Sequence, residues 1–364
     1  MWLVALLVGL LPWSATMAQN HLRVSEIGGF PQSEADYAMG VSACFAGTIG
    51  NHIIMAGGCN FPDNSGVKHY YKGIYAACWQ ADTLQWRRIG TLPEPVAYGA
   101  TVDMGDSLLL IGGNNQEHSL RQVVSVKLDA RGNAIVMRLP SLPVTVDNGA
   151  AAYAKGHVFV FGGNQNGKPS KALWSLSCSR PTSQWKSRKA MPGKPRVQPV
   201  CVAHGQRLFA WGGFYAKGAK SKVATDGYAY DVKRNRWAQL ATPRDAAGES
   251  LTLSGATGAT NGAGLLLCLG GVNKTIFADA ISGKYQLVDQ ADYLKQPVAW
   301  YRFNATPLVF NAKTLRWLKP TTPDARLARA GALLIGIAAN QFLYIGGELK
   351  PGVRTPQILR IELE

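Results

Sequence analysis

The chain is short of acid and of any patterned cysteine or histidine. Its 22 Asp plus Glu stand against 38 Lys plus Arg, for a formal net charge of +16, and such a field favours anionic ligands or surfaces. The basic residues are scattered, with no Lys/Arg run and no aromatic RNA-binding signature, which argues against a nucleic-acid partner. Six cysteines stand at 44, 59, 78, 178, 201 and 268 without a Cys-x-x-Cys. Cys44, Cys78, Cys201 and Cys268 lie inside apolar runs and read as small buried residues. The six histidines include no pair at i, i+2 or i, i+4, so no metal site is expected, and nothing in the chain calls for a cofactor.

Long hydrophobic runs are also missing, apart from one at the start. Residues 1–18 read as a signal peptide, with Leu3 to Leu11 as the apolar segment and Thr16-Met17-Ala18 as the small-residue cleavage site before Gln19. The positive segment is weak, since only the amino terminus carries charge. An N-terminal anchor is the alternative, but the apolar run is short for a span. The expectation is a periplasmic or secreted protein with no membrane span after cleavage.

What the chain has in quantity is glycine, 40 residues of 364, and aromatic residues, with 10 Trp, 13 Tyr and 11 Phe; hydrophobic residues make up 47%. This mixture suits many strands joined by tight turns. Glycine pairs follow apolar runs at 57–58, 112–113, 162–163, 212–213, 270–271 and 346–347, at intervals of 55, 50, 50, 58 and 76. A paired glycine at a period near ~50 residues marks kelch-type propeller blades. A strand buried on both faces reads as a continuous apolar run, and glycine then permits a sharp turn and close backbone approach.

A second marker runs in register. Prolines close an outer strand at Pro31, Pro93, Pro143, Pro192, Pro243 and Pro323. Aromatic pairs mark the outer strands: Tyr75 with Trp86, Trp174 with Trp185, Tyr228 with Trp237 and Phe310 with Trp317, while the second repeat lacks its tryptophan. The stretch Glu26-Ile27-Gly28-Gly29-Phe30-Pro31 aligns with Arg88-Ile89-Gly90-Thr91-Leu92-Pro93, so the chain starts with an outer strand and ends with an inner one. The fold expected is an all-β, six-bladed propeller over residues 19–364, with blades at roughly 38–93, 98–143, 148–192, 197–243, 249–323, and 328–364 with 20–31. Closure of the last blade by the N-terminal strand removes free sheet edges. An insertion at about 272–305 in blade five, rich in aromatics, reads as a cap over one mouth of the channel.

Loops after the second strand of each blade crowd round the channel of a propeller. The residues just after the glycine pairs are Cys59, Asn114, Asn164, Phe214, Val272 and Glu348, and only Glu348 is a carboxylate. Blade starts add Asn148, Arg196 with Gln198, Glu249 and Arg329. A basic channel with few carboxylates suits an anionic, polyhydroxylated ligand. By spacing alone, Glu348, Lys350 and Arg354 read first as a solvated charged hairpin.

The stretch Gly347-Glu348-Leu349-Lys350-Pro351-Gly352-Val353-Arg354-Thr355 resembles the loop of the bacterial sialic acid mutarotases, the N-acetylneuraminate epimerases. Gly270-Gly271-Val272-Asn273 and Pro195-Arg196-Val197-Gln198 resemble two further blades of that family, in an order that looks cyclically permuted. The likeness covers nearly the whole mature chain. It implies an isomerase that interconverts the anomers of N-acetylneuraminic acid by acid/base ring opening, without a cofactor. Glu348 is then the base and Arg354 its catalytic partner, holding the sugar carboxylate with help from Arg196 or Arg329. Asn114, Asn164 and Gln198 would take hydroxyl or N-acetyl groups, and Asn273 is also placed on the substrate-binding side. One departure concerns Asn60 to Tyr71, a short loop with Asp63, Lys68 and His69 where relatives have a longer acidic one. The competing readings are a kelch-type binding module and a mutarotase for another sugar; a sialidase would need Asp-box motifs, which are absent.

Overall fold

The computed structural model describes residues 22–62, 66–80, 83–180 and 182–364. The signal-peptide reading, Asp63 and the first residues of the sixth repeat lie outside these. The described chain is all-β apart from two helices and three short 3-10 turns. Among the described residues no helix is long and apolar enough to cross a membrane.

Six antiparallel sheets of four main strands follow the repeat. The first holds Phe45–Ile49, His52–Ala56, Gly73–Cys78 and Arg87–Thr91. The next four repeat this order from Ala100–Asp103, Ala150–Ala154, Val197–His204 and Thr257–Thr260. In the sixth, Leu333–Ala338, Gln341–Ile345 and Ile358–Leu363 are joined by Leu22–Ile27. That N-terminal strand pairs antiparallel with the C-terminal one over six residues, Leu22 opposite Leu363 through Ile27 opposite Ile358. The second strand of each sheet is the apolar run read from sequence; Leu108–Ile111 and Gln341–Ile345 bury every apolar residue they carry. The core is therefore sheet against sheet, and adjacent sheets share apolar clusters, as where Phe209 and Trp211 meet Phe310.

Neighbouring repeats are tied at two radii. Outside, indole N–H groups reach back one repeat: Trp86 donates to Gly29 O at 3.3 Å, Trp185 to Pro140 O at 2.8 Å, Trp237 to Lys189 O at 2.7 Å and Trp317 to Ala241 O at 2.8 Å. The acceptors lie just before the prolines that close the preceding outer strands, so the two sequence markers meet in space. Inside, the glycine pairs clamp the next repeat. Gly113 N donates to Val146 O at 2.8 Å and Gly271 N to Arg329 O at 2.8 Å. A Cβ on Gly112 would sit 2.2 Å from Val146 O and one on Gly270 2.2 Å from Arg329 O, and both glycines have positive φ, so only glycine fits there.

The innermost tie is a cycle of six backbone hydrogen bonds. Tyr98 N donates to Ala43 O (2.9 Å), Asn148 N to Tyr98 O (2.7 Å), Gln198 N to Asn148 O (2.8 Å) and Gly255 N to Gln198 O (3.1 Å). Gly331 N then donates to Gly255 O (2.9 Å), and Ala43 N to Gly331 O (3.0 Å), which returns to the start. All six residues have φ between 52° and 69°. Left-handed backbone disfavours residues other than Gly, yet Ala43, Tyr98, Asn148 and Gln198 occupy four of the six places. The residues of this cycle line a narrow cavity of about 140 Å³.

Between Leu265–Leu269 and Leu308–Asn311 the fifth repeat carries a helix, Lys274–Ile281, then Gln290–Tyr293 and a 3-10 turn, Val298–Tyr301. Phe277 packs on Phe214 of the fourth repeat, with ring centroids 5.0 Å apart. Lys350 Nζ donates to the carbonyls of Leu294 (3.1 Å) and Gln296 (2.7 Å), which fastens this excursion to the hairpin that carries Glu348.

Candidate functional site

Each residue that follows a glycine pair lies one step outside the hydrogen-bonded cycle. Cys59 exchanges backbone hydrogen bonds with Ser42, Asn114 with Ala97 and Glu348 with Ala330; Asn164 pairs with Asp147 and Phe214 with Val197. The six positions are thus equivalent in the repeat, each paired beside a residue of the cycle that lines the cavity, and among them Glu348 alone carries a carboxylate.

Glu348 begins a short hairpin, Glu348–Lys350 against Val353–Arg354, in which Glu348 faces Arg354 directly. Pro351 and Gly352 form the turn. Arg354 Nη1 lies 2.9 Å from Glu348 Oε2, with the Arg354 side chain 4% exposed and that of Glu348 22%. Arg354 Nε and Nη1 have no well-directed hydrogen bond, so the contact is an ion pair with donor directions left over. Burial pushes the Glu348 carboxyl above its ordinary value of 4.5, and the charges of Arg354 and then Lys68 pull part of the way back. For Arg354, burial opposes the charge, but the Glu348 carboxylate together with Cys59 and Tyr98 outweighs it and holds the guanidinium above its usual value. A desolvated carboxylate with a raised pKa is a stronger base than a free glutamate.

The first and second repeats complete the surroundings. Arg354 Cζ stands 5.1 Å from the Phe61 ring centroid. Lys68 Nζ stands 4.7 Å from the ring centroid of Tyr98 and 5.8 Å from those of Phe61 and Tyr70. The buried Cys59 contacts both Arg354 and Tyr98. Burial, then Cys59, hold the Tyr98 hydroxyl protonated well above its normal range. Tyr301, from the fifth-repeat excursion, has its phenol pushed up by burial and by the negative field of Glu348, and its hydroxyl donates to Tyr293 O.

Of the other residues read from sequence, several are held elsewhere. Arg196 is 3% exposed, donates through Nη1 to Gly212 O (2.9 Å) and grips both oxygens of Asp226 (2.9 Å each). Arg329 is fully buried and donates to the carbonyls of Arg326, Gly346 and Gln357 and to the Gln357 side chain. Asn273 caps the helix Lys274–Ile281, accepting from Thr275 N and Ile276 N. These three side chains bind the fold together and do not join the Glu348–Arg354 pair. Asn164 donates to Asp147 Oδ1 (2.8 Å), as does Asn148 (2.8 Å), and Gln198 donates to Asn148 Oδ1 (2.9 Å), a polar chain whose Asn148 and Gln198 line the cavity. Asn114 keeps a buried side-chain oxygen without a partner.

Tyr98 and Phe61 were not read from the sequence as site residues. Tyr98 could have been found: it stands at the same place in its repeat as Asn148 and Gln198. Phe61 has no such marker.

A family described as N-acetylneuraminate epimerase matches residues 12–136 and 139–364. Proteins named N-acetylneuraminate epimerase from Yersinia enterocolitica, Salmonella paratyphi B and Haemophilus influenzae are each 30% identical to this chain, over 234, 251 and 232 residues. Those alignments take in 61%, 65% and 60% of the chain and 56%, 61% and 57% of the relatives. The chain thus spans under two thirds of the length of the curated relatives it matches.

Proposed function

Since the chain belongs to the N-acetylneuraminate epimerase family, we propose that it is a mutarotase that interconverts the α and β anomers of N-acetylneuraminate. The observation that carries this reading is Glu348: the one carboxylate among six equivalent positions of the repeat, desolvated and ion-paired to Arg354. Anomer exchange requires loss of the proton on the anomeric hydroxyl as the bond from the anomeric carbon to the ring oxygen breaks. The ring oxygen takes a proton, the open-chain ketone turns its face, and the steps reverse. Glu348 is the group that removes and returns the anomeric proton. Arg354 keeps that carboxylate oriented and ionised, and water or a phenol supplies the proton to the ring oxygen. Asn114, with its unpartnered oxygen, and the Asn164–Gln198 chain supply contacts for hydroxyl and amide groups.

The scaffold in this reading is a six-bladed kelch-type propeller whose last blade is completed by the N-terminal strand. The hydrogen-bonded cycle from Ala43 round to Gly331 and the pairing of Leu22–Ile27 with Ile358–Leu363 support it. The segment 1–18 supports export to the periplasm or beyond. The test is anomer-resolved proton NMR: α-N-acetylneuraminate is released in place by a retaining sialidase and its conversion is followed with and without the purified protein. A rate above that of buffer is expected; binding without excess rate on any sialic acid would make this a binding module or an enzyme for another sugar.

A further inference from the structure

We infer that Lys68, rather than Arg354, takes the carboxylate of the anionic sugar at this site. The inference rests on the reading of the Glu348 site as a sugar-acid isomerase and concerns which cation selects the substrate.

Arg354 is poorly placed for that task. Its side chain is 4% exposed, its guanidinium lies against the Phe61 ring, and its Nη1 is already 2.9 Å from Glu348. A substrate carboxylate brought to the same guanidinium would set two carboxylates on one buried cation, and like charges in a desolvated site disfavour each other strongly. It would also move Glu348 away from the proton it must take.

Lys68 has the properties Arg354 lacks. It is partly exposed, and among the described residues it makes no ion pair within 4 Å. Its ammonium is held over the faces of Tyr98, Phe61 and Tyr70, which fix a cation without neutralising it. Phe61 carries both cations, Arg354 at 5.1 Å and Lys68 at 5.8 Å, so Lys68 belongs to the same site as Glu348. Its charge is felt at Glu348. With the substrate bound, two carboxylates then face two cations. Lys68 also borders a cavity of about 420 Å³ that holds Glu94 and Glu117; those carboxylates repel an anion there and leave the Phe61 side as its seat.

The test compares a charged and a neutral form of one ligand. Binding of N-acetylneuraminate and of its methyl ester is measured by titration calorimetry on the full chain, its Lys68→Met and Lys68→Gln variants, and Lys68→Arg. A charge-assisted contact predicts that wild type prefers the acid by roughly tenfold or more. Both neutral variants should lose that preference while ester binding and melting temperature hold, and Lys68→Arg should recover much of it. If Lys68→Met and Lys68→Gln keep the acid-to-ester ratio of wild type, Lys68 does not read the carboxylate. That result, together with an intact excess rate of anomer exchange in wild type, overturns the Lys68 assignment and leaves the mutarotase reading standing. If wild type binds neither form and shows no excess rate, both readings fall.

Discussion

Glu348 and Arg354 face one another across a single tight hairpin, with 2.9 Å between carboxylate and guanidinium. The arrangement couples the two ionisations: burial raises the Glu348 pKa and the Arg354 charge lowers it.

Removing that charge with Arg354→Met should therefore raise the Glu348 pKa further. A base must be ionised to act, so activity is lost as pH falls through this pKa. The acid limb of the pH–rate profile should move to higher pH in Arg354→Met, and Arg354→Lys should recover it only in part, because lysine keeps the charge but not the planar fork. An acid limb unmoved in Arg354→Met would mean that the pair is not coupled in solution.

Asp226→Asn should destabilise the fold and spare substrate binding. Arg196 is 3% exposed and would lose its carboxylate partner; stranding a buried cation costs about 3 kcal/mol or more. Burial opposes the Asp226 charge, but the hydrogen bonds and charge of Arg196 prevail and hold its pKa below the ordinary 3.8. A depressed carboxylate contributes stability that is complete above the unfolded value and is lost as pH falls through the folded one, so the wild-type advantage should shrink below about pH 3.8. Thermal melts of both proteins across pH 2–7, with KM measured at neutral pH, check this (pH range ~2–7). A raised KM with an unchanged melting temperature would return Arg196 to the substrate site.

The N-terminal strand should be structural. Its six-residue pairing with Ile358–Leu363 covers the last edge of the sixth sheet, and Ile27 is buried with that core. A chain lacking residues 22–31 exposes an apolar edge that templates pairing with other chains. It is expected to aggregate or to melt far below the full-length protein. A monomeric truncation with the wild-type melting temperature would show that the strand is dispensable.

The sheet pattern was legible because its causes are local and repeated. Apolar runs ending in glycine pairs gave the second strands, and the alignment of Glu26–Pro31 with Arg88–Pro93 gave the N-terminal outer strand. The tryptophans were legible as markers, but their use as donors to the preceding repeat was not, since a carbonyl acceptor leaves no trace in sequence. Glu348 and Arg354 could be singled out because one breaks a repeated position and both fall in a family loop. Arg196, Arg329 and Asn273 looked similar by position, yet their partners, Asp226, the Gly346 and Gln357 carbonyls and a helix N-terminus, decide their roles. Lys68 and Tyr98 meet only across two repeats, a contact that spacing along the chain does not encode.

The most direct test of the account is the excess rate of α-to-β conversion of N-acetylneuraminate by Glu348→Gln, read by anomer-resolved NMR against buffer and wild type. Glutamine keeps the shape and most hydrogen bonding but removes the base, a loss worth ~10²–10⁴-fold in rate. An excess rate reduced by that order, with ligand binding retained, is expected. A Glu348→Gln protein that keeps the wild-type excess rate would show that Glu348 is not the base and that its hairpin is only a charged turn.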